Sequence, residues 1–79
     1  MNTIKLVDVD GNSYKVELLF THFDYSFGKN YIVYLIDNDL LASSYETVDN
    51  TFIINNDLSS KEYDMIDKTI ANKLGDNYA

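Results

Sequence analysis

Three oxygen-bearing side chains stand at alternate positions near the start of the chain, at Asp8, Asp10 and Asn12. A calcium-binding EF-hand loop places its first ligands with this spacing, and it also needs Gly at position six and Glu at position twelve. Counted from Asp8, those two positions hold Ser13 and Leu19. The pattern therefore predicts a hairpin turn, because Asp-Gly between two β-patterned segments is a strong hairpin signal.

His22 is the only histidine of the chain and its only candidate for a general base that works near neutral pH. A base or an activated nucleophile needs partners within hydrogen-bond reach. Asp24, Tyr25 and Ser26 are close in sequence, but their spacing matches no catalytic motif, and there is no phosphate-binding glycine loop or nucleophile elbow. We interpret His22 as a surface or capping histidine, and we predict that the protein is not an enzyme.

The other metal-ligating residue types also favour a structural interpretation. The chain has no cysteine, which excludes disulfides and thiolate metal sites. Asp64 and Asp67 lie one turn apart in a predicted helix, but Lys61 and Lys68 stand beside them, which is typical of a solvated face. The sequence predicts no metal and no cofactor.

The charge balance disfavours two classes of partner. Ten aspartates and three glutamates stand against six lysines and no arginine, and the net charge is −7. Direct binding to nucleic acid or to an anionic membrane needs a basic face, so we expect neither. There is no signal-peptide pattern and no apolar run long enough to span a bilayer, so we expect a cytoplasmic protein.

Five segments have the composition of β-strands, and the most apolar of them is the central run Tyr-Ile-Val-Tyr-Leu-Ile. Gly28 precedes this run and suits a positive φ angle. The alternation of the second segment fails at Leu19, which adds apolar surface to the opposite face. The segments are residues 3–9, 13–20, 31–36, 40–48 and 51–55.

The last segment predicts a helix with defined ends. Ser59 and Glu62 have the spacing of a capping box, and Gly75 is the expected stop. Residues 76–79 are expected to fray. Apolar side chains spaced by three or four positions form one stripe along this helix. They are Tyr63, Ile66, Ile70 and Leu74.

These elements predict one small acidic domain over residues 1–79, of the α+β class. We expect an antiparallel β-meander of about five strands with the C-terminal helix packed on one sheet face, because short connections favour antiparallel pairing. Ile32, Tyr34 and Ile36 make the second face apolar as well. Either the sheet curls and buries that face, or a second copy or another protein covers it; we favour the interface.

Several blocks of the chain resemble the YrzB family of short acidic proteins from Gram-positive bacteria. The blocks are Ile-Lys-Leu-Val-Asp from residue 4, Asp-Gly-Asn from residue 10 and Val-Glu-Leu-Leu-Phe-Thr from residue 16. Tyr25 with Gly-Lys-Asn-Tyr from residue 28 is similar to the segment before that family's central strand, and Tyr63 stands where its helix has Trp. The resemblance implies the same fold class and a bacterial or phage origin, but no activity.

The functional prediction is a protein-interaction module with an unknown protein partner or a second copy. Phe23, Tyr25 and Phe27 are crowded into residues 21–30, where they either cap the core or contact the partner. The alternative is an acidic inhibitor from a phage or mobile element, which mimics nucleic acid and blocks a host nuclease or defence enzyme such as a restriction or CRISPR effector. The predicted partner-binding residues are Phe23, Tyr25, Phe27, Tyr34, Asp37 and Asp39.

Overall fold

The computed structural model describes residues 2–75 of the chain, which form a small α+β fold. The segment 76–79, for which fraying was predicted, lies outside the described residues. No helix in the described part is long and apolar enough to cross a bilayer. In chain order the elements are β1 (Thr3–Asp8), β2 (Ser13–Asp24), β3 (Lys29–Ile36), β4 (Asp39–Val48), β5 (Thr51–Asn55) and α1 (Ser60–Leu74).

The five strands form a closed barrel, so the prediction of an open antiparallel meander is wrong. Each strand pairs antiparallel with the next along the chain, and β1 also pairs parallel with β5, with Leu6 opposite Phe52. Strand direction alternates along the chain, so the first and fifth strands point the same way. A barrel of five alternating strands can therefore close only through a parallel pair.

Closure places the second apolar face of the sheet inside the barrel. Ile32 is fully buried there and Tyr34 is 2% exposed, whereas Ile36 is partly buried. This face is therefore curled inward, and the preferred expectation that a second copy or another protein covers it is wrong. The buried residues of this interior are Leu6, Val16, Ile32, Tyr34 and Ile54.

A β-bulge at Leu19 explains why the alternation of β2 fails. Leu18 lies opposite Tyr34 and Phe20 lies opposite Val33, which leaves Leu19 as an extra residue. Leu18 packs in the barrel interior, whereas Leu19 and Phe20 both pack on the outer cluster beneath the helix. The bulge therefore supplies two successive side chains to one face and re-aims the rest of β2.

The helix covers the outer face of β3 with Ile66 and Ile70 of the predicted stripe, and Leu74 is partly buried, but the helix is turned so that Tyr63 faces solvent. Ile66 packs with Tyr31 and Val33 in a second buried cluster, which we call the helix-side cluster. Tyr63, predicted on the docking stripe, is 44% exposed, and Glu62 is 4% exposed in its place. The partly buried side chains around this cluster are Leu19, Phe20, Phe27, Leu40, Ala42, Leu58, Met65 and Ile70.

Two tight hairpins join the strands on either side of β4. Their two-residue loops hold Asp37 and Asn38 at φ angles of 49° and 72°, and Asp49 and Asn50 at 50° and 65°. Positive φ at both central residues identifies type I′ turns, whose twist matches that of the flanking strands. Asp and Asn tolerate this left-handed conformation better than other residues with a Cβ atom.

We expect Asn38→Val to lower the free energy of unfolding by roughly 1–2 kcal/mol, because a β-branched residue is strained at positive φ. The matched variant Asn38→Gly removes the Cβ atom and should unfold within about 1 kcal/mol of the parent. Urea unfolding of both variants measures the difference. Equal losses for Val and Gly would contradict the type I′ assignment.

Candidate functional site

The end of β2 and the turn that follows it, residues 21–28, form a projection that we call the β2–β3 arm. Phe23 is 44% exposed and Tyr25 is 91% exposed. Their ring centroids are 5.0 Å apart and the ring planes meet at 87°, so the two rings pack edge to face. This geometry is favourable for aromatic pairs, and here it holds two exposed rings in a fixed relation.

Asp24 organises the turn that carries these rings. Its Oδ2 accepts a hydrogen bond from the backbone N–H of Phe27 at 3.2 Å, and its backbone carbonyl accepts one from the N–H of Gly28 at 2.8 Å. Gly28 has a φ of 63°, as its sequence position predicts. His22 Nε2 lies 3.4 Å from the other carboxylate oxygen of Asp24. Both polar side chains therefore contribute to the shape of the arm.

Phe27 has a different role from the other two aromatics of the arm. Its side chain is partly buried and packs against the helix-side cluster, whereas Phe23 and Tyr25 stay exposed. The sequence left open whether these aromatics cap the core or contact a partner. In the structure Phe27 packs against the core, and of these three aromatics only Phe23 and Tyr25 are exposed to solvent.

The remaining predicted partner-binding residues lie elsewhere. Tyr34 lies inside the barrel, and burial raises the pKa of its hydroxyl. This hydroxyl is 2.7 Å from Ser43 Oγ, and Ser43 donates a hydrogen bond to Asn56 Oδ1. Asp37 and Asp39 are exposed, but they flank the hairpin at the opposite end of β3, roughly 23 Å from the arm along an eight-residue strand. The structure therefore does not bring the predicted set together.

A buried carboxylate beside the arm was not recognised in the sequence as part of any site. Glu62 Oε2 accepts hydrogen bonds from the Tyr31 hydroxyl at 2.6 Å and from Lys29 Nζ at 3.2 Å. Its Oε1 accepts the backbone N–H of Ser59 at 3.0 Å, which completes the predicted capping box. Only this last contact could be anticipated from spacing, since the other two join residues that are far apart in sequence.

The same contacts explain the protonation behaviour of the pair. The hydrogen bond from Tyr31, aided by those from Ser59 and Lys29, lowers the pKa of Glu62 to about 2. Burial, together with the bond to Glu62, raises the pKa of Tyr31. Glu62 is thus held as a carboxylate and Tyr31 as a neutral phenol. The network ties the start of α1 to the start of β3, directly after the arm.

The Asp8 turn uses its carboxylate for the fold. The two oxygens of Asp8 accept the backbone N–H groups of Asp10 and Asn12, both at 2.9 Å, and the Tyr14 hydroxyl, also at 2.9 Å. Burial acts to raise the pKa of Asp8, but these hydrogen bonds outweigh it, so that the pKa is lowered. No group of three or more potential metal-ligating residues is found within residues 2–75. The Asp8 bonds fit the predicted hairpin turn.

A cleft of about 350 Å³ opens at the foot of the arm. Gly28 and Lys29 border it from the arm, and Val9 borders it from the β1–β2 turn. Tyr45 and Ile54 contribute from the neighbouring strands. The cleft therefore borders the base of the arm, and neither Phe23 nor Tyr25 lines it.

Comparison of the chain with models of protein families, with curated proteins and with solved structures gives no match. The resemblance to the YrzB family accordingly stays a prediction.

Proposed function

We propose that the protein is a cytoplasmic protein-interaction module that contacts its partner through the β2–β3 arm. The observation that carries this proposal is the exposed aromatic pair, in which Tyr25 is 91% exposed and packs edge to face with Phe23. Tyrosine and phenylalanine are enriched at protein interfaces because one rigid ring buries a large area when it docks. Leaving such a pair in solvent has no benefit for the stability of the fold.

The arm is also organised before any partner arrives. Asp24 fixes the turn through its bonds to Phe27 and Gly28, and the Phe27 side chain packs on the helix-side cluster. The Glu62 network fixes the first residues of β3 at the foot of the arm. A preorganised surface has less conformational entropy to lose when it binds.

The ionisable groups support binding rather than catalysis. The carboxylates of Asp8 and Glu62 are engaged by hydrogen bonds from the protein's own backbone and side chains. His22 lies near Asp24, which itself holds the turn. In the proposed module these groups shape the surface and do not act on a substrate.

A photo-crosslinking experiment tests the proposal. With p-benzoylphenylalanine in place of Tyr25, we expect one specific crosslinked protein in a lysate of the source organism, and none from the same probe at Tyr63. The double variant Phe23→Ser and Tyr25→Ser should weaken binding to that protein by about tenfold or more, because it removes both rings from the interface. Tyr63→Ser is the control, since Tyr63 is as exposed as Phe23, at 44%, but lies on the helix.

Equal binding by the two Ser variants would contradict the proposal, provided that both melt like the parent.

The captured partner also tests a second candidate function, the acidic inhibitor of a host nuclease or defence enzyme. That candidate is favoured by exposed aspartates at three hairpin turns and by the net charge of −7. It requires binding that weakens steeply with salt and that competes with nucleic acid. The exposed aspartates are Asp10, Asp37, Asp39 and Asp49.

A further inference from the structure

The far half of β2 has a neighbouring strand on one side only. β1 pairs with residues 13–17, and the Leu18 N–H donates to the carbonyl of Asn2 at 2.8 Å. Beyond the bulge, residues 21–24 pair with β3, and the described chain places no strand on their other edge. Because backbone groups of successive residues point to alternate edges of a strand, half of the N–H and C=O groups of this segment face away from β3.

This edge is short and ends at the charged Asp24, but two of the usual protections against pairing are missing from it. Natural edge strands are blunted by lysine, by proline, by a bulge or by extreme shortness. Residues 21–24 are Thr-His-Phe-Asp, with no lysine and no proline, and the bulge at Leu19 comes before them. Thr21 and Phe23 are exposed on the same face of the strand. The segment is therefore an accessible template for one more strand.

We propose that the partner binds as an extended segment that adds a strand to β2 along residues 21–24. This inference rests on the proposed function and specifies how the arm is used. Backbone hydrogen bonds along the open edge supply part of the affinity, and side chains at alternate positions of the added strand contact Phe23 and Tyr25. The added strand lies beside residues 21–24, on the edge that β3 does not occupy.

Charge identifies the kind of segment that fits. The chain has a net charge of −7, and Asp24 is at the end of the open edge. A second copy would bring two strongly acidic chains together, and like-charge repulsion opposes that encounter. An extended segment that carries lysine or arginine beside apolar residues is attracted instead. We therefore assign the edge to a basic, strand-forming segment of a different protein.

Selection from a library of linear twelve-residue peptides displayed on phage, with the full chain as bait, tests the inference. The selected peptides should be rich in Lys or Arg, and should bind Phe23→Ser about tenfold more weakly than the Tyr63→Ser control. A scan of single N-methyl groups along one peptide should weaken binding about tenfold at every second residue and leave the residues between unaffected. Amide hydrogen exchange should slow at residues 21–24 of the full chain when the peptide binds.

The outcomes separate the two proposals. If no selected peptide depends on Phe23, strand addition by a linear segment is overturned, whereas the proposed function stands or fails with the crosslinking at Tyr25. If peptides depend on Phe23 but N-methylation shows no alternation, the arm binds and strand addition is overturned. Self-association of the chain at micromolar concentration, with residues 21–24 protected, overturns the inference in favour of a second copy. Acidic selected peptides overturn the charge assignment.

Discussion

Replacing Ile66 with alanine is expected to lower the free energy of unfolding by about 3–4 kcal/mol. Ile66 is 2% exposed and packs with Tyr31 and Val33 in the helix-side cluster. Three lost carbon atoms leave a cavity there, because β3 is tied into the barrel on both sides and cannot move in to fill it. Urea unfolding at 25 °C measures the loss, which is a large fraction of the stability of a 79-residue domain.

Two matched variants decide which side of the helix is docked. Ile70 is partly buried, so Ile70→Ala should cost less than Ile66→Ala. Tyr63 is 44% exposed, so Tyr63→Ala should cost less than about 1 kcal/mol. Losses of similar size at Tyr63 and Ile66 would instead support the stripe that hydrophobic periodicity predicts, and would contradict the observed orientation.

The ends of the helix could be predicted because they depend on neighbouring residues alone. Ser59 is the N-cap with both bonds of the capping box to Glu62, and Gly75 is the C-cap at a φ of 73°. Each of these contacts spans four residues or fewer. The sequence holds everything needed to recognise them.

The rotation of the helix about its axis could not be predicted in the same way. Periodicity assigns apolar residues to the core, and it therefore places Tyr63 inward and Glu62 outward. In the structure Glu62 is inward because Tyr31 and Lys29, about thirty positions earlier, supply donors to its carboxylate. Burying a charge is tolerated only with such partners, and periodicity carries no information about them.

Barrel closure depends on a contact that is still more distant in sequence. The pairing of Leu6 with Phe52 joins the two ends of the sheet, and no local pattern indicates it. The composition of β3 was the one available signal, since both its faces are apolar and one of them, with Ile32 and Tyr34, had to be covered. That signal allowed two outcomes, inward curling and an interface, and it did not distinguish them.

The candidate site shows the same limit. The crowding of Phe23, Tyr25 and Phe27 in ten residues drew attention to the arm, but residue type does not say which rings are exposed. The bulge at Leu19 and the bonds of Asp24 decide that Phe27 faces the helix-side cluster while Tyr25 faces solvent. Tyr34 is chemically identical to Tyr25, and only its place on β3 puts it inside the barrel.

The Glu62 network is expected to make stability fall in acid over a defined range. Because the pKa of Glu62 is lowered from 4.5 to about 2, the folded state holds the carboxylate more firmly than the unfolded chain does. The contribution of the network is therefore complete above pH 4.5 and is lost as the pH falls from there towards 2. Glu62→Gln should cost about 2 kcal/mol at pH 7, since hydrogen bonds to a charged acceptor are the stronger ones.

The measurement is the difference in unfolding free energy between the parent and Glu62→Gln, followed by urea titrations from pH 7 downwards. That difference should be constant at neutral pH and shrink as the pH falls below 4.5, because protonated Glu62 resembles the amide. The lowered pKa of Asp8, where hydrogen bonds outweigh the opposing effect of burial, is common to both proteins and cancels in the difference. Tyr31→Phe removes the main cause of the shift, so it should raise the pKa of Glu62 and move the loss to higher pH. A difference that stays constant from pH 7 to pH 3 would mean that the Glu62 carboxylate is not bound by Tyr31 and Lys29 in solution.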